Sequence, residues 1–349
     1  MAELFETLPF ENLYWNQMET LRREELRTLQ TQRLRRTVDR VRNLPLYRDF
    51  FIKNAFKDDD FQAPEDVQLL PMTTPEMLQA QFPCAHWTVP RHEIARIQTR
   101  QGFLTAFTRH DLQAQADLAA RFLYADGTRS NQLVQISMPF GRAEEAFALQ
   151  SGVDCIGAAS IPATNRIVSP STQALTGFQT GDRADETIDQ TLEFLTALNV
   201  NGICAEAEFV LALCSEAKER GLSLPLNYAH VPATTMGVAL RYPIQKDFPL
   251  KVYLNWAHPA FFGAGLASEC HLQDGLHLQE DRFLFECVHP ATGLPAEDGT
   301  PGELIVTDLA REAQSLLRFR TGTLVIRNST PCPCGRTSCR IQILGALES

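Results

Sequence analysis

The chain has 349 residues, 44% hydrophobic and 21% charged, with a net charge of −10. That balance supports a sizeable buried core and excludes a broad nucleic-acid binder, which needs surplus Lys and Arg to neutralise phosphates. No run of about 18 apolar residues exists to span a membrane. The acidic start MAELFETLPFENLYW lacks the basic and then apolar regions of a signal peptide, which points to the cytoplasm.

Residues 20–43 read as a first helix, with Leu26, Leu29, Leu34, Val38 and Val41 near helical spacing and Pro45 closing it. Its basic cluster, Arg33 to Arg42, is interleaved with Leu34, Val38 and Val41 and reads as a solvated helix face. From 54 to 95 the chain is irregular, punctuated by Pro64, Pro71, Pro75, Pro83 and Pro90. Thr108-Arg-His-Asp111 resembles a capping box with Asp in place of Glu. It opens a helix carrying Leu112, Leu118, Ala119, Phe122 and Leu123. A strand, Leu133–Met138, follows Asp126-Gly127.

A second helix–strand pair comes next, with Ile188, Leu192, Leu195 and Leu198 on one face of 186–198 and Val200–Cys204 as a buried strand. This alternation predicts an α/β domain with a largely parallel sheet. After about residue 250 the texture changes to short strands: 251–254, 282–288, 303–306, 323–326 and 341–344. Turns at Ala291-Thr-Gly293 and Asp298–Gly302 separate some of them. The expected organisation is a helical and irregular region at 1–95, an α/β subdomain at 96–250 and a β-rich subdomain at 251–349.

Nine cysteines, an odd number scattered over a long chain, do not form a secreted disulfide framework. Three of them fall within eight residues in Pro331-Cys-Pro-Cys-Gly-Arg-Thr-Ser-Cys339, which leaves metal ligation or plain thiols. Cys84, Cys155, Cys204 and Cys214 lie in apolar surroundings and read as inert core thiols, as does Cys287. No Gly-x-Ser-x-Gly elbow is present.

Several stretches together resemble one family, the phenylacetate–CoA ligases. They are Tyr14-Trp15, the helix through Leu34, Leu44-Pro-Leu-Tyr-Arg48, the run GLHLQEDRFLFECVHPATGLPAEDGTPGELIVTDL (275–309), LLRFRTGT (316–323) and PCPCGR (331–336). The resemblance implies the large domain of an adenylate-forming enzyme, with mostly parallel sheets flanked by helices and a β-rich C-terminal subdomain. It also implies use of ATP, Mg²⁺ and coenzyme A to make an acyl-adenylate and then a thioester, and a homodimer.

The departures fall at the ATP chemistry. The family's Ser/Thr/Gly-rich phosphate loop ends in Gly-Lys-Pro. Its counterpart here is Arg96–Thr108, shorter, with the single glycine Gly102 and no lysine, so the backbone cradle for pyrophosphate is missing. Ala260 stands where the family has its Mg²⁺-ligating glutamate, and alanine offers no oxygen to a hard cation. Thr323 replaces the ribose-binding aspartate of Arg-Thr-x-Asp, and Val231, in Tyr228-Ala-His-Val-Pro232, replaces another carboxylate. The chain also stops at 349, where the family's hinge to its small C-terminal domain would begin.

The vestigial pocket is expected around Trp256, His258, His230, Arg320 and Thr323, either open or filled by Phe103 and its neighbours. Arg318 and Arg320 are free to bind an anion or to form salt bridges. The metal set, with all four positions kept, is Cys270, His277, Cys332 and Cys334, with Cys339 and His271 in reserve. Three thiolates and an imidazole suit a closed, structural Zn²⁺ site; the alternative is thiols packed in the β subdomain.

Two functions follow. One is a non-catalytic relative that binds a small carboxylate, an acyl ligand or a protein partner. The other is an aryl- or acyl–CoA ligase completed by a separate C-terminal-domain chain, or an enzyme of altered acyl chemistry.

Overall fold

The computed structural model describes residues 14–57, 60–82, 86–100, 102–140, 145–163, 188–261 and 263–347. Cys84 and residues 186 and 187 of the second expected helix–strand pair lie outside these.

Helix α1 (Arg23–Val41) buries Leu26, Leu34, Val38 and Val41. The last three join a cluster with Tyr47, Phe51, Phe61, Val67, Leu70 and the distant Leu309 and Leu317. Its arginines do more than face solvent. Arg35 Nε donates to the Phe61 carbonyl at 2.7 Å, and Arg33 and Arg40 donate to the carbonyls of Asp281 and Arg311. Within the proline-punctuated region, α2 (Arg48–Asn54) and α3 (Pro75–Ala80) are short. Thr74 caps α3, with Pro75 at its first position, where a missing N–H costs nothing.

In the stretch expected to stand for the phosphate loop, β1 (Arg96–Arg100) and β2 (Phe103–Phe107) pair as an antiparallel hairpin. Gly102 supplies the positive φ of +82° at its turn. Thr108 and Asp111 form the expected reciprocal cap of α4 (Arg109–Ala125). The shorter aspartate also reaches outward: its carboxylate accepts the N–H groups of Glu312 and Ala313 at 2.8 and 2.9 Å.

Eleven strands form one sheet among the described residues. They are β3 (Leu133–Ser137), β4 (Ala159–Ala163), β5 (Gly202–Ala205), β6 (Tyr228–Pro232), β7 (Lys251–His258), β8 (Gly263–Ser268), β9 (Leu276–Leu278), β10 (Phe283–Val288), β11 (Pro301–Asp308), β12 (Phe319–Asn328) and β13 (Arg340–Ala346). The spatial order is 10-11-12-13-9-8-7-6-5-3-4. Strands 4, 3, 5, 6 and 7 run parallel; from β7 outward every pairing is antiparallel.

Strands β3, β5 and β6 are buried on both faces, as crossover helices require, while the edge strand β4 is largely exposed or half-buried. Val134, Ile136 and Cys204 face α4 and α5 (Glu145–Ile156), while Ile203, Ala205, Ala229 and Val231 face α6 (Ile188–Ala197) and α7 (Ala207–Glu219). The β-rich C-terminal third extends this same sheet, so the change of texture near residue 250 marks a switch in strand direction. Among the described residues no helix is long and apolar enough to cross a membrane.

Candidate functional site

The topology gathers four residues that are up to 64 positions apart in sequence. Cys270 follows the end of β8, His277 lies in β9, and Cys332 and Cys334 sit in the loop between β12 and β13. Because β13 pairs with β9, with Arg340 opposite His277, that loop is returned to the His277 strand. The Sγ atoms of the three cysteines and a ring nitrogen of His277 all lie within 4.8 Å of one another, and all four residues are buried. Cys270 Sγ and Cys332 Sγ are 4.0 Å apart, and Cys334 Sγ and His277 Nε2 are 3.4 Å apart.

A tetrahedral zinc ion with bonds of about 2.0 Å to nitrogen and about 2.3 Å to sulfur sets its ligand atoms roughly 3.5–3.8 Å apart. The donor set and spacing therefore fit one ion, with no position left for substrate. His277 Nδ1 faces Ser338 Oγ at 3.2 Å, a partner of the kind that orients a ligating imidazole. The Cys270 thiol as donor and nearby His277 hold Cys334 well below the ordinary thiol range. Its hydrogen bond to Cys334 pushes Cys270 up, and burial raises Cys332. The reserve candidates Cys339 and His271 are not among the four mutually close residues. Cys204, Cys214 and Cys287 are buried in the core, where desolvation raises their thiols; Cys155 is exposed.

A second cluster forms where β7, β8 and β12 meet the β1–β2 hairpin. The His258 ring is surrounded by Phe103, Phe319, Phe261 and Trp256, with centroids 5.7, 5.3, 5.9 and 6.2 Å away. Phe319 also meets Phe103 and Phe261 edge-on, the geometry aromatic quadrupoles favour. Hydrogen bonds lock the hairpin in place: Thr105 Oγ1 donates to the Pro259 carbonyl at 3.0 Å, and Ala106 N–H donates to Gln314 Oε1 at 3.0 Å. Ala260 N–H donates to His258 Nδ1 at 3.2 Å, and buried Arg311 donates to the Ala260 carbonyl at 2.8 Å.

The remaining pocket candidates are placed differently. Arg320 is ion-paired with buried Glu303 at 2.6 Å, and Arg318 with Glu286 at 2.8 Å. Thr323 lies in β12, its N–H donating to Thr321 Oγ1 at 3.2 Å. His230 packs against Phe122 and Tyr228, with Nδ1 2.9 Å from Asp126. Burial lowers the His230 pKa to about 3 and raises that of Asp126. Phe261, Phe319, Arg311 and Gln314 escaped the sequence reading because bulky apolar residues and scattered polar ones carry no spacing signal; only the fold makes them neighbours.

No family model matches the chain. Among solved structures, 2-hydroxyisobutyryl-CoA ligase in complex with 2-HIB-AMP and CoA superposes with a TM-score of 0.83 at 20% identity, covering 98% of this chain and 72% of that one. A long-chain-fatty-acid-CoA ligase from Archaeoglobus fulgidus gives a TM-score of 0.53 over 74% of this chain and 52% of that one, at 13% identity. The fold is that of the CoA ligases of the adenylate-forming superfamily.

Sequence comparison goes further. The phenylacetate-coenzyme A ligase of Thermus thermophilus is 30% identical over 347 residues, which cover 96% of this chain and 74% of the relative. The Escherichia coli enzyme of the same name is 28% identical, covering 88% and 68%. The chain belongs to the phenylacetate–CoA ligase family.

Proposed function

We propose that this chain is a non-catalytic member of the family, a binding or partner protein that keeps the scaffold and a structural zinc ion but does not adenylate carboxylates. One observation carries the reading. The hairpin that stands for the phosphate loop lays Phe103 against His258 and Phe319, two residues from Ala260 and one from Arg320 in sequence. On this reading, packed rings stand where phosphate and Mg²⁺ chemistry would occur. Rings offer neither backbone N–H groups to phosphate nor oxygen ligands to a hard cation.

Loss of the glutamate at position 260 and of the aspartate at 323 agrees with this. So does the engagement of Arg318 and Arg320 by Glu286 and Glu303, since a paired guanidinium must break its bridge before it meets an anion. The test is pyrophosphate release from ATP and Mg²⁺ with a panel of aryl and acyl acids. Release at family-like rates supports the enzyme reading instead, and none above background supports this one.

The zinc is held by Cys270, His277, Cys332 and Cys334 and supplies a cross-link between β8, β9 and the loop before β13, with no open position for chemistry. A reducing compartment, the cytoplasm, keeps those sulfurs as thiols until the metal binds. Protein purified without added zinc is expected to carry one Zn per chain; a ratio far below one removes this part of the proposal.

A further inference from the structure

Beyond its sulfurs, the Cys332–Cys339 loop makes contacts that lead away from the sheet, to the segment that precedes α1. Tyr14 Oη donates to the Cys334 carbonyl at 2.6 Å, and the Arg336 guanidinium lies over the Tyr14 ring, 5.2 Å from its centroid. Arg336 is ion-paired with Glu19 at 2.7 Å, both side chains being nearly inaccessible. The other Glu19 oxygen accepts the N–H groups of Trp15 and Asn16 at 2.7 and 3.2 Å. Thr337 N–H donates to the Glu19 carbonyl and Thr337 Oγ1 to that of Leu21, at 3.3 and 2.7 Å. Gly335 permits this approach: its φ is +87°, and a Cβ there would lie 2.1 Å from Tyr14 Oη.

The loop is thus held from two sides. On one side are Cys270 and His277; on the other is segment 14–22. Arg336 joins them directly, because its backbone N–H also points at Cys334 Sγ, 3.4 Å away.

We infer that the metal clasp anchors the N-terminal segment, so that zinc occupancy and docking of residues 14–22 are one coupled equilibrium. The inference rests on the zinc reading above. With the ion bound, Cys332 and Cys334 are fixed on β8 and β9, and the loop presents Gly335, Arg336 and Thr337 as a rigid seat. Without it, the loop loses its inner attachments and the seat loses its shape. Coupling between two binding events is reciprocal: whatever zinc contributes to docking, docking contributes to zinc affinity. Trp15 Nε1 and Asn16 Nδ2 also donate to Asp117 at 3.1 and 2.8 Å, so release of the segment starts at its Glu19 end.

Hydrogen exchange with mass spectrometry on zinc-loaded and chelator-stripped full-length protein is the test. Peptides covering 14–22 and 332–339 should both exchange at least about tenfold faster after stripping, while the central strands β3 and β5 keep their protection. Equal protection of 14–22 in both forms, with 332–339 alone accelerated, overturns the inference.

If stripping unfolds the whole chain, Tyr14→Ala combined with Glu19→Gln decides instead, because these changes replace none of the four metal-ligating side chains; Tyr14 meets Cys334 only at its carbonyl. That variant should still bind zinc, with an affinity lowered by about the factor by which its segment opens. An unchanged zinc affinity in a variant whose segment has opened overturns the coupling. Protein that never binds zinc defeats the zinc reading itself, a result distinguishable from both.

Discussion

Replacing Phe103 by alanine removes the ring that the hairpin places against His258 and Phe319. The ring is half-buried, so truncation exposes or empties roughly 100 Å² of apolar surface, about 2.5 kcal/mol at about 25 cal/mol per Å². Two edge-on contacts, to His258 and Phe319, add about 0.5–1.5 kcal/mol each. Part of that sum overlaps, and Phe103→Ala should lower unfolding free energy by about 2–3 kcal/mol in urea titrations, with an unchanged m-value. Stability alone does not locate the contact, so a double-mutant cycle does. Phe319→Leu keeps the fully buried site filled, and the pair should show a coupling of about 0.5–1 kcal/mol. A coupling indistinguishable from zero, or a Phe103→Ala cost below about 0.5 kcal/mol, would refute the packed-ring account.

Asp281→Asn should cost about 3 kcal/mol in the same titration, the low end for a broken buried pair, because it removes the carboxylate that meets buried Arg121 at 2.7 and 3.1 Å and leaves Asp117, at 2.9 Å, as the remaining counter-charge. Gly152→Ala should destabilise by about 2 kcal/mol or more although alanine is the better helix former. The added methyl would lie 2.6 Å from Ala119 Cβ and 2.9 Å from backbone where α5 crosses α4. Burial lifts the Asp308 carboxyl to about 7 from an ordinary 3.8, opposed by Arg311 and the Leu316 N–H. Between these values the folded chain holds a proton that the unfolded chain has lost, so this group's contribution falls as pH rises. Asp308→Asn should therefore gain on the parent by about 2 kcal/mol between about pH 5 and about pH 7; a pH-independent difference contradicts the assignment.

The helices were legible wherever an apolar stripe or a cap marked them: α1 from Leu26 through Val41, and α4 from Thr108 and Asp111. So were the buried strands β3 and β5, because strands covered on both faces are written as short apolar runs. The continuity of the sheet was not legible. Local pattern distinguishes parallel from antiparallel texture, but it does not say that β7 pairs with β6 on one side and β8 on the other. The proline-rich region hid α3, whose start is itself a proline. At the Cys/His cluster, residue type named the four candidate ligands, while their convergence came from the pairing of β13 with β9. The partners of that set, Tyr14, Glu19 and Arg336, had no signature beyond Gly335 following a Pro-Cys-Pro-Cys turn. At the aromatic cluster the sequence offered Ala260 and Thr323 where carboxylates were expected; the packing around His258 depended on which face Phe103 and Phe319 turn toward it, and a one-residue slip would reverse it.

The most direct measurement of the central claim is calorimetric titration of the purified chain with ATP and Mg²⁺. The packed-ring account predicts no saturable heat at micromolar protein, and none restored by adding an aryl or acyl acid. Saturable one-to-one binding of the nucleotide with micromolar affinity would contradict it.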